Sequence, residues 1–437
     1  MQQLTLLVNG ERIGVYSKPG LPNWNSLSPA GSLLAEHAAP QPGEQVLCIG
    51  LGHAAPAAAL ARGAPEAHFT LLDLTYPALQ AAAATCQANR LANVQALAVI
   101  EPPPGARFDR ALIELPKGRE LARRWLAQTF RALRPGGLLF LAGDKGLGVE
   151  PVGRDAAELF GPGRVLDYKK GNRVIVFTRP ADAPGSGWWD APGIAAGTWQ
   201  EARLQLPESA GLTGVAQAGP QEMPLAWLPG VFSAGRLDDG TALLLPHLQV
   251  DPGEQALDLG CGSGVIGVLI GRLGAAHVDL VDASLPAAAC AAENLARHGL
   301  TQQAAARPGD GLRFHDPAAP ESSSAAGVNS DGVTASGTIA AGAAGGPAGW
   351  AIEPDAPQIQ PRYTLIASNP PFHSGKGIDY SMAEGFIHDS RQALLPGGRL
   401  LIVANRFIRY DRLIGQVFGR VTTLAEDTRY HVLQAVR

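Results

Sequence analysis

Apolar runs of about five residues, separated by glycine turns and longer helical stretches, set the architecture this chain predicts. In its second half, Gln255 to Leu259, His277 to Asp282, Tyr363 to Ser368 and Arg399 to Ala404 read as buried strands. Between them, Gly264 to Leu273, Pro286 to His298 and Glu384 to Leu395 read as helices. Such alternation requires an α/β fold, a mostly parallel sheet with helices on both faces. The chain then closes with two adjacent strand-like runs, Val421 to Leu424 and Tyr430 to Val436, which predict an antiparallel hairpin. Arg164 to Leu166 and Arg173 to Thr178 predict the same ending for the first half.

The halves are copies. Pro42-Gly43-Glu44-Gln45-Val46-Leu47-Cys48-Ile49-Gly50 is echoed by Pro252-Gly253-Glu254-Gln255-Ala256-Leu257-Asp258-Leu259-Gly260, at an offset of 210. His68 to Pro77 matches His277 to Pro286 at an offset of 209, and Ala132 to Ala142 matches Ala393 to Ala404 from an offset of 261. The step from 209 to 261 means that the second copy carries 52 additional residues between these markers. Most of them fall in residues 315–361, a run of Ala, Gly, Ser and Pro that cannot bury enough apolar surface to order itself, and so is expected to be a disordered insertion. Domains at 1–180 and 223–437, joined by a linker and small extension at 181–222, follow from this pattern. Trp188, Trp189 and Trp199 in the linker read as packing anchors between domains rather than as base-stacking residues.

Charge and cysteines narrow the class. The chain has 35 basic and 39 acidic residues, a net charge of −4, which excludes a surface coated throughout for polyanions but allows a local basic patch. Residues 1–180 carry 19 Lys and Arg against 14 Asp and Glu, and the remainder 16 against 25, so the excess of positive charge lies in the first copy. Cys48, Cys86, Cys261 and Cys290 are widely spaced and the histidines are not clustered, so no metal site and no disulfide scaffold is predicted. Without a basic leader or a long apolar segment, a cytoplasmic protein is expected, with no membrane partner.

The chemistry-bearing residues concentrate in the second copy. Asp258-Leu259-Gly260-Cys261-Gly262-Ser263-Gly264 is a strand running into a glycine turn at a helix start, a place where backbone approaches a ligand closely. Asp282 ends the next strand 24 residues on, where a carboxylate reaches the hydroxyls of a ribose. A dinucleotide would call for G-x-G-x-x-G, whereas Gly260, Gly262 and Gly264 are spaced G-x-G-x-G, which suits an adenosine without phosphates and disfavours an NAD-dependent oxidoreductase. Asp310 is expected to end the third strand, within reach of an adenine amino group, although a loop aspartate capping its own backbone is the plainer alternative.

Asn369-Pro370-Pro371-Phe372 follows another buried strand. The two prolines cannot extend a sheet, so Asn369 is held at a strand's carboxyl end, the edge where α/β sheets bind ligands. The Asn369 Oδ1 and the Pro370 carbonyl are two acceptors for the hydrogens of a planar amine, and Phe372 can stack on its ring. His373 is a candidate substrate contact, with a solvated loop histidine as the alternative.

These motifs, together with Pro229-Gly230-Val231-Phe232-Ser233, Leu237-Asp238-Asp239-Gly240 and Val403-Ala404-Asn405-Arg406-Phe407, make the chain resemble the bacterial small-subunit ribosomal RNA guanine-N2 methyltransferases. The resemblance is strong over 225–437 and loose over 1–180. It implies two tandem Rossmann-like class I methyltransferase domains, S-adenosyl-L-methionine as cofactor, and ribosomal RNA or the small ribosomal subunit as partner of a monomeric enzyme. Asn369, Pro370 and Phe372 would be catalytic, and Asp258, Gly260, Gly262, Gly264, Asp282, Asp310 and Asn369 would hold the cofactor.

In the first copy Cys48 replaces the aspartate, His53 and Ala54 replace Ser-Gly, and Glu114-Leu115-Pro116-Lys117 stands at the Asn-Pro-Pro-Phe position. That copy is expected not to catalyse. Lys117, Arg119, Arg123, Arg124, Lys169, Lys170 and Arg173 would suit phosphate contacts to RNA, the alternative being an ordinary solvated face. Two other readings stay open: methylation of another planar amine, such as adenine N6 or a protein glutamine, and a non-catalytic RNA-binding assembly factor.

Overall fold

The computed structural model describes all residues except 183, 208–221, 315–348, 353–360 and 371–379. Contacts divide the chain into two compact units, the first comprising Met1–Trp199 with Asp316–Pro354, the second Gln200–His315 with Asp355–Arg437. No helix among the described residues is long and apolar enough to cross a membrane.

The first unit begins with a hairpin, β1 (Gln2–Val8) and β2 (Glu11–Ser17), followed by α1 (Pro29–His37). Next come β3 (Gln45–Ile49), α2 (Ala55–Gly63), β4 (His68–Leu72), α3 (Tyr76–Ala88), β5 (Val94–Ala96), β6 (Phe108–Glu114), α4 (Arg119–Ala132) and β7 (Leu133–Asp144). The unit's sheet is completed by α5 (Val149–Phe160), β8 (Arg164–Lys169) and β9 (Asn172–Thr178). Its seven strands lie in the order β5-β4-β3-β6-β7-β9-β8, parallel except for the closing hairpin.

The second unit repeats this plan. A hairpin of β10 (Gln200–Gln205) and β11 (Glu222–Trp227) precedes α6 (Asp239–Leu244). The sheet is built from β12 (Gln255–Leu259), β13 (His277–Asp282), β14 (Ala304–Pro308), β15 (Tyr363–Ser368) and β16 (Leu394–Asn405), with β17 (Thr422–Glu426) and β18 (Tyr430–Val436) as its hairpin. The connecting helices are α7 (Val265–Arg272), α8 (Leu285–Arg297), α9 (Tyr380–Ala393) and α10 (Tyr410–Phe418). The order β14-β13-β12-β15-β16-β18-β17 matches the first unit strand for strand. Both sheets show the predicted tandem Rossmann-like class I arrangement. In each, the strand order reverses beside the first parallel strand, so the carboxyl ends of β12 and β15 diverge and leave a crevice there.

The sequence had also pointed to these elements. The expected bounds of β12, β13, β15 and β18 coincide with the observed ones, because buried parallel strands are short apolar runs bounded by turn residues. The N-terminal hairpin β1–β2 went unrecognised, although Asn9-Gly10 between two apolar stretches is a hairpin signal; both residues take positive φ, 51° and 81°. In the tryptophan-rich connection, Trp188 and Trp189 meet edge to face at 5.4 Å and pack on the first unit's core.

Most of the Ala/Gly-rich insertion lies outside the described residues. Residues 349–352 do not, and they are ordered against the first unit. Trp350 N donates to Ala98 O (2.9 Å) in an isolated antiparallel bridge, and Tyr76 Oη donates to Ala351 O (3.0 Å).

Candidate functional site

The turn after β12 is a cradle of positive-φ glycines: Gly260 at 74°, Gly262 at 55° and Gly264 at 86°. Gly260 and Gly262 have nothing among the described residues within 4 Å of where a Cβ would stand, whereas Gly264 packs on Leu280 and Ala291. The first two glycines thus line open space, and the third permits close helix packing. Two carboxylates shape the turn. Asp282 accepts from Gly262 N (2.8 Å) and, through its other oxygen, from Ser284 N (2.8 Å). Asp258, fully buried, accepts from Gly267 N (2.8 Å) and so satisfies a free amide in the first turn of α7, which has no side-chain cap of its own.

Burial raises the carboxyl of Asp258 to about 7, with the charge of nearby Asp282 adding to the rise; burial raises Asp282 as well. The Oδ1 of Asp258 is buried without a hydrogen-bond partner among the described residues. An orphaned acidic oxygen beside an open glycine cradle fits a cationic, ribose-bearing cofactor such as S-adenosylmethionine. Asp310 stands past β14, its backbone paired with Arg313 in an isolated bridge.

Asn369 closes the site on the other side of the crevice. Ser368 Oγ donates to Leu259 O (2.5 Å), which stitches the end of β15 to the end of β12. Asn369 Nδ2 donates to Asp238 Oδ2 (2.8 Å) and to Thr241 Oγ1 (2.9 Å), while its Oδ1 is buried with no partner among the described residues. With both amide hydrogens engaged, that oxygen is an acceptor ready for a donor from outside the protein. Pro370 follows, buried; Phe372 and His373 lie outside the described residues.

Sequence reasoning about the residues themselves did not assign Asp238 and Thr241 to this site. The available signal was an N-cap aspartate three residues ahead of a threonine: Asp238 caps α6, accepting from Thr241 N at 3.1 Å. Asn294 was also missed. Fully buried on α8, it donates to Ser263 O (2.9 Å) and Ala226 O (2.9 Å) and accepts from Ala226 N (2.7 Å), fastening the glycine turn to β11.

Several basic residues of the first unit are engaged by partners within it. Arg119 makes a bidentate pair with buried Asp155 (2.7 and 2.7 Å), and Arg123 joins it at 3.0 Å while lying over the Trp188 ring. Arg124 is buried, donating to Glu101 (2.6 Å) and Gly193 O (2.5 Å). Lys169 pairs with Glu36 (2.7 Å) and Arg173 with Glu150 (2.7 Å), both at the surface. Lys117 and Lys170 are exposed. Glu36, His37 and Asp167 bring three ligand-type atoms within 4.8 Å of one another, but the Lys169 ammonium already neutralises Glu36.

Comparison with known proteins agrees with the geometry. The methyltransferase small domain family model matches residues 12–176, 222–316 and 350–434. The ribosomal RNA small subunit methyltransferase C of Pseudomonas paraeruginosa (strain DSM 24068 / PA7) is 33% identical over 341 residues, covering 77% of this chain and 81% of its own length. Its counterpart in Stutzerimonas stutzeri (strain A1501) is 31% identical over 344 residues, covering 77% and 82%. Among solved structures, the T. thermophilus 16S rRNA N2 G1207 methyltransferase in complex with AdoMet and guanosine superposes with a TM-score of 0.70 at 26% identity, covering 100% of this chain and 98% of that one.

Proposed function

The chain belongs to the methyltransferase small domain family and, within it, to the ribosomal RNA small subunit methyltransferase C proteins, and from that premise we propose that it methylates the exocyclic N2 amine of a guanine in 16S ribosomal RNA. The observation that carries this reading is Asn369: a buried acceptor oxygen whose amide hydrogens are both spoken for, set across the sheet crevice from the glycine cradle.

The lone pair of a guanine amine is delocalised into the ring and makes a poor nucleophile. Acceptors for its hydrogens draw the nitrogen toward tetrahedral geometry and restore the lone pair. In this reading Asn369 Oδ1 takes one hydrogen, the Pro370 carbonyl takes the other, and Phe372 supplies the stacking face. Bound S-adenosylmethionine supplies the electrophilic methyl on a sulfonium. For that cofactor, Asp282 offers carboxylate to the ribose, Gly260 and Gly262 offer room, and Asp310 offers an acceptor at the end of the third strand. Asp258 contributes buried negative potential next to the turn. Most of the rate enhancement comes from holding amine and methyl donor in line, a positioning effect worth several kcal/mol. The target base must be unpaired or flipped out, since its amine is engaged in a duplex.

The second unit is assigned the chemistry and the first, residues 1–180, the role of docking RNA, with Lys117, Lys169 and Lys170 as the phosphate contacts at its surface. The enzyme acts as a monomer in the cytoplasm. Incubating purified protein with labelled S-adenosylmethionine and small subunits, naked 16S RNA or protein, then digesting and identifying the product, tests the assignment. N2-methylguanosine is expected, and the position matching the T. thermophilus target, G1207, is the first to map. Label on adenine or on glutamine would replace guanine as the substrate, and an absence of label on all three would reduce the protein to a binding factor.

A further inference from the structure

We propose that Asp238 and Thr241 are positioning residues for the reaction: together they fix which end of the Asn369 amide faces the substrate. This rests on the methyltransferase reading above. An asparagine amide has nearly the same shape in its two orientations, yet one presents an oxygen and the other an NH2 group. Only the oxygen can accept a hydrogen from an amine; the flipped form would set donor against donor. Sheet geometry places the Asn369 Cα but does not choose between these states.

The choice is made by what lies behind the amide. Asp238 Oδ2 accepts from Asn369 Nδ2 at 2.8 Å and Thr241 Oγ1 accepts the other hydrogen at 2.9 Å. A carboxylate has no hydrogen to give, so turning the amide over would press its oxygen against Asp238 at hydrogen-bond distance. Asp238 is itself held, accepting from Thr241 N at 3.1 Å as the N-cap of α6. Gly240, between them, sits under the Tyr430 ring, 3.4 Å from where its Cβ would stand, and Asp239 pairs with Arg429. The clamp is thus anchored to β18 as well as to α6.

The first unit contains the same device with its polarity reversed. At the equivalent register Glu114 stands in place of Asn369, and the residue behind it is Ser28, the N-cap of α1. Ser28 Oγ accepts from Gly31 N (2.8 Å) and donates to Glu114 Oε2 (2.9 Å). Where the strand-end group brings hydrogens, the cap residue is a carboxylate; where the strand-end group is a carboxyl, the cap residue brings a hydroxyl. Cap and strand end have changed together, as expected if the contact between them matters.

The test uses the full-length protein with small subunits lacking the methyl group. Asp238→Ala is expected to lower kcat on the order of 10- to 100-fold while the KM for S-adenosylmethionine stays within about threefold. Asp238→Asn keeps an oxygen for both Thr241 N and Asn369 Nδ2 and should recover most of that loss. Thr241→Val should cost less than Asp238→Ala, and Thr241→Ser should restore it. Independently of turnover, side-chain 15N spectra of the wild type should show slowed exchange of the Asn369 NH2 hydrogens, lost in Asp238→Ala. If Asp238→Ala keeps kcat within about twofold, if Asp238→Asn is as impaired as Asp238→Ala, or if the Asn369 amide exchanges freely in the wild type, the clamp is wrong. A wild-type protein that labels no RNA but shows the protected amide would instead overturn the functional reading.

Discussion

The two glycine turns of this protein have the same backbone and opposite occupants. Gly50 and Gly52 (φ 77° and 54°) reproduce Gly260 and Gly262 (φ 74° and 55°), and Ala54 takes the left-handed conformation (φ 60°) that Gly264 has in the second unit. Asp73 retains the role of Asp282, accepting from Gly52 N at 3.1 Å where Asp282 accepts from Gly262 N. Over Gly260 there is open space among the described residues. A Cβ on Gly50 would meet the ring of Trp125 at 2.8 Å. The first unit thus has the same turn backbone with an indole packed against its first glycine.

The aspartate's other duty was replaced as well. Cys48 cannot accept from the next helix as Asp258 does. In α2, Pro56 removes one of the amides that would need an acceptor, and His53 Nδ1 accepts from Ala55 N (3.3 Å). That bond makes His53 Nε2 the protonated nitrogen, facing Ser26 O at 3.2 Å, and burial holds the ring's pKa down, favouring this neutral form. The turn of the first unit is thus held by other hydrogen bonds than those of the second. The change is partial: Asp73 keeps its place at the end of its strand and its bond to the turn.

The largest effect should come from carrying the difference across. Asn369→Ala is expected to abolish transfer, by roughly 10³-fold or more, with cofactor affinity within a few-fold by calorimetry. Intact turnover would end the role assigned to Asn369. Next, alanine at paired glycines should separate the two turns. Gly260→Ala is expected to weaken cofactor binding by roughly tenfold with only a modest loss of stability from its positive φ, about 1 kcal/mol. Gly50→Ala carries the same backbone cost plus a clash with Trp125, so its loss of melting temperature should exceed that of Gly260→Ala by several degrees, with cofactor affinity unchanged.

A third contrast is pH. Asp258, at about 7, is substantially protonated at neutral pH. A cationic cofactor favours its ionised form, so affinity should rise as pH increases from 6 to 8 with release of a proton, measurable by calorimetry in buffers of different ionisation enthalpy. Asp258→Asn should flatten that profile. In the first unit, burial raises Glu114 to about 7, with the Asp73 charge adding to it, whereas the unfolded carboxyl titrates near 4.5. The folded state therefore binds the proton more tightly. Stability from this group is full below pH 4.5 and declines as pH rises through 7. Glu114→Gln should leave melting near pH 4.5 little changed and stabilise the protein at pH 8, on the order of 1–3 kcal/mol. The smallest effect is at the surface: neutralising Lys169 and Lys170 should raise the RNA KM a few-fold and flatten its salt dependence. An unchanged KM would leave these lysines as solvated charges.

Much of the fold was legible because the evidence for it is local. A buried parallel strand is a short apolar run, a left-handed turn needs glycine, and two prolines end a strand. The tandem repeat then doubled each inference. The basic residues were less legible, since charge alone does not reveal its partner: Arg119, Arg123 and Arg124, read as candidate phosphate contacts, are committed to Asp155, Glu101 and the Gly193 carbonyl. The same holds for the end of the insertion, where Trp350 pairs with Ala98 across some 250 residues of chain.

By itself, then, the amino-acid order determined the two Rossmann-like sheets, the glycine turn with Asp258 and Asp282, and the placing of Asn369 at a strand end. All of these follow from backbone constraints that operate within a few residues. Tertiary structure alone decided how Asn369 is turned, because the carboxylate that selects its orientation lies 131 residues earlier in the chain. It also decided that the first turn is closed, because Trp125 reaches Gly50 only once α4 has packed on the sheet. Hydrogen-bond polarity and the filling of space are properties of neighbours, and folding chooses the neighbours.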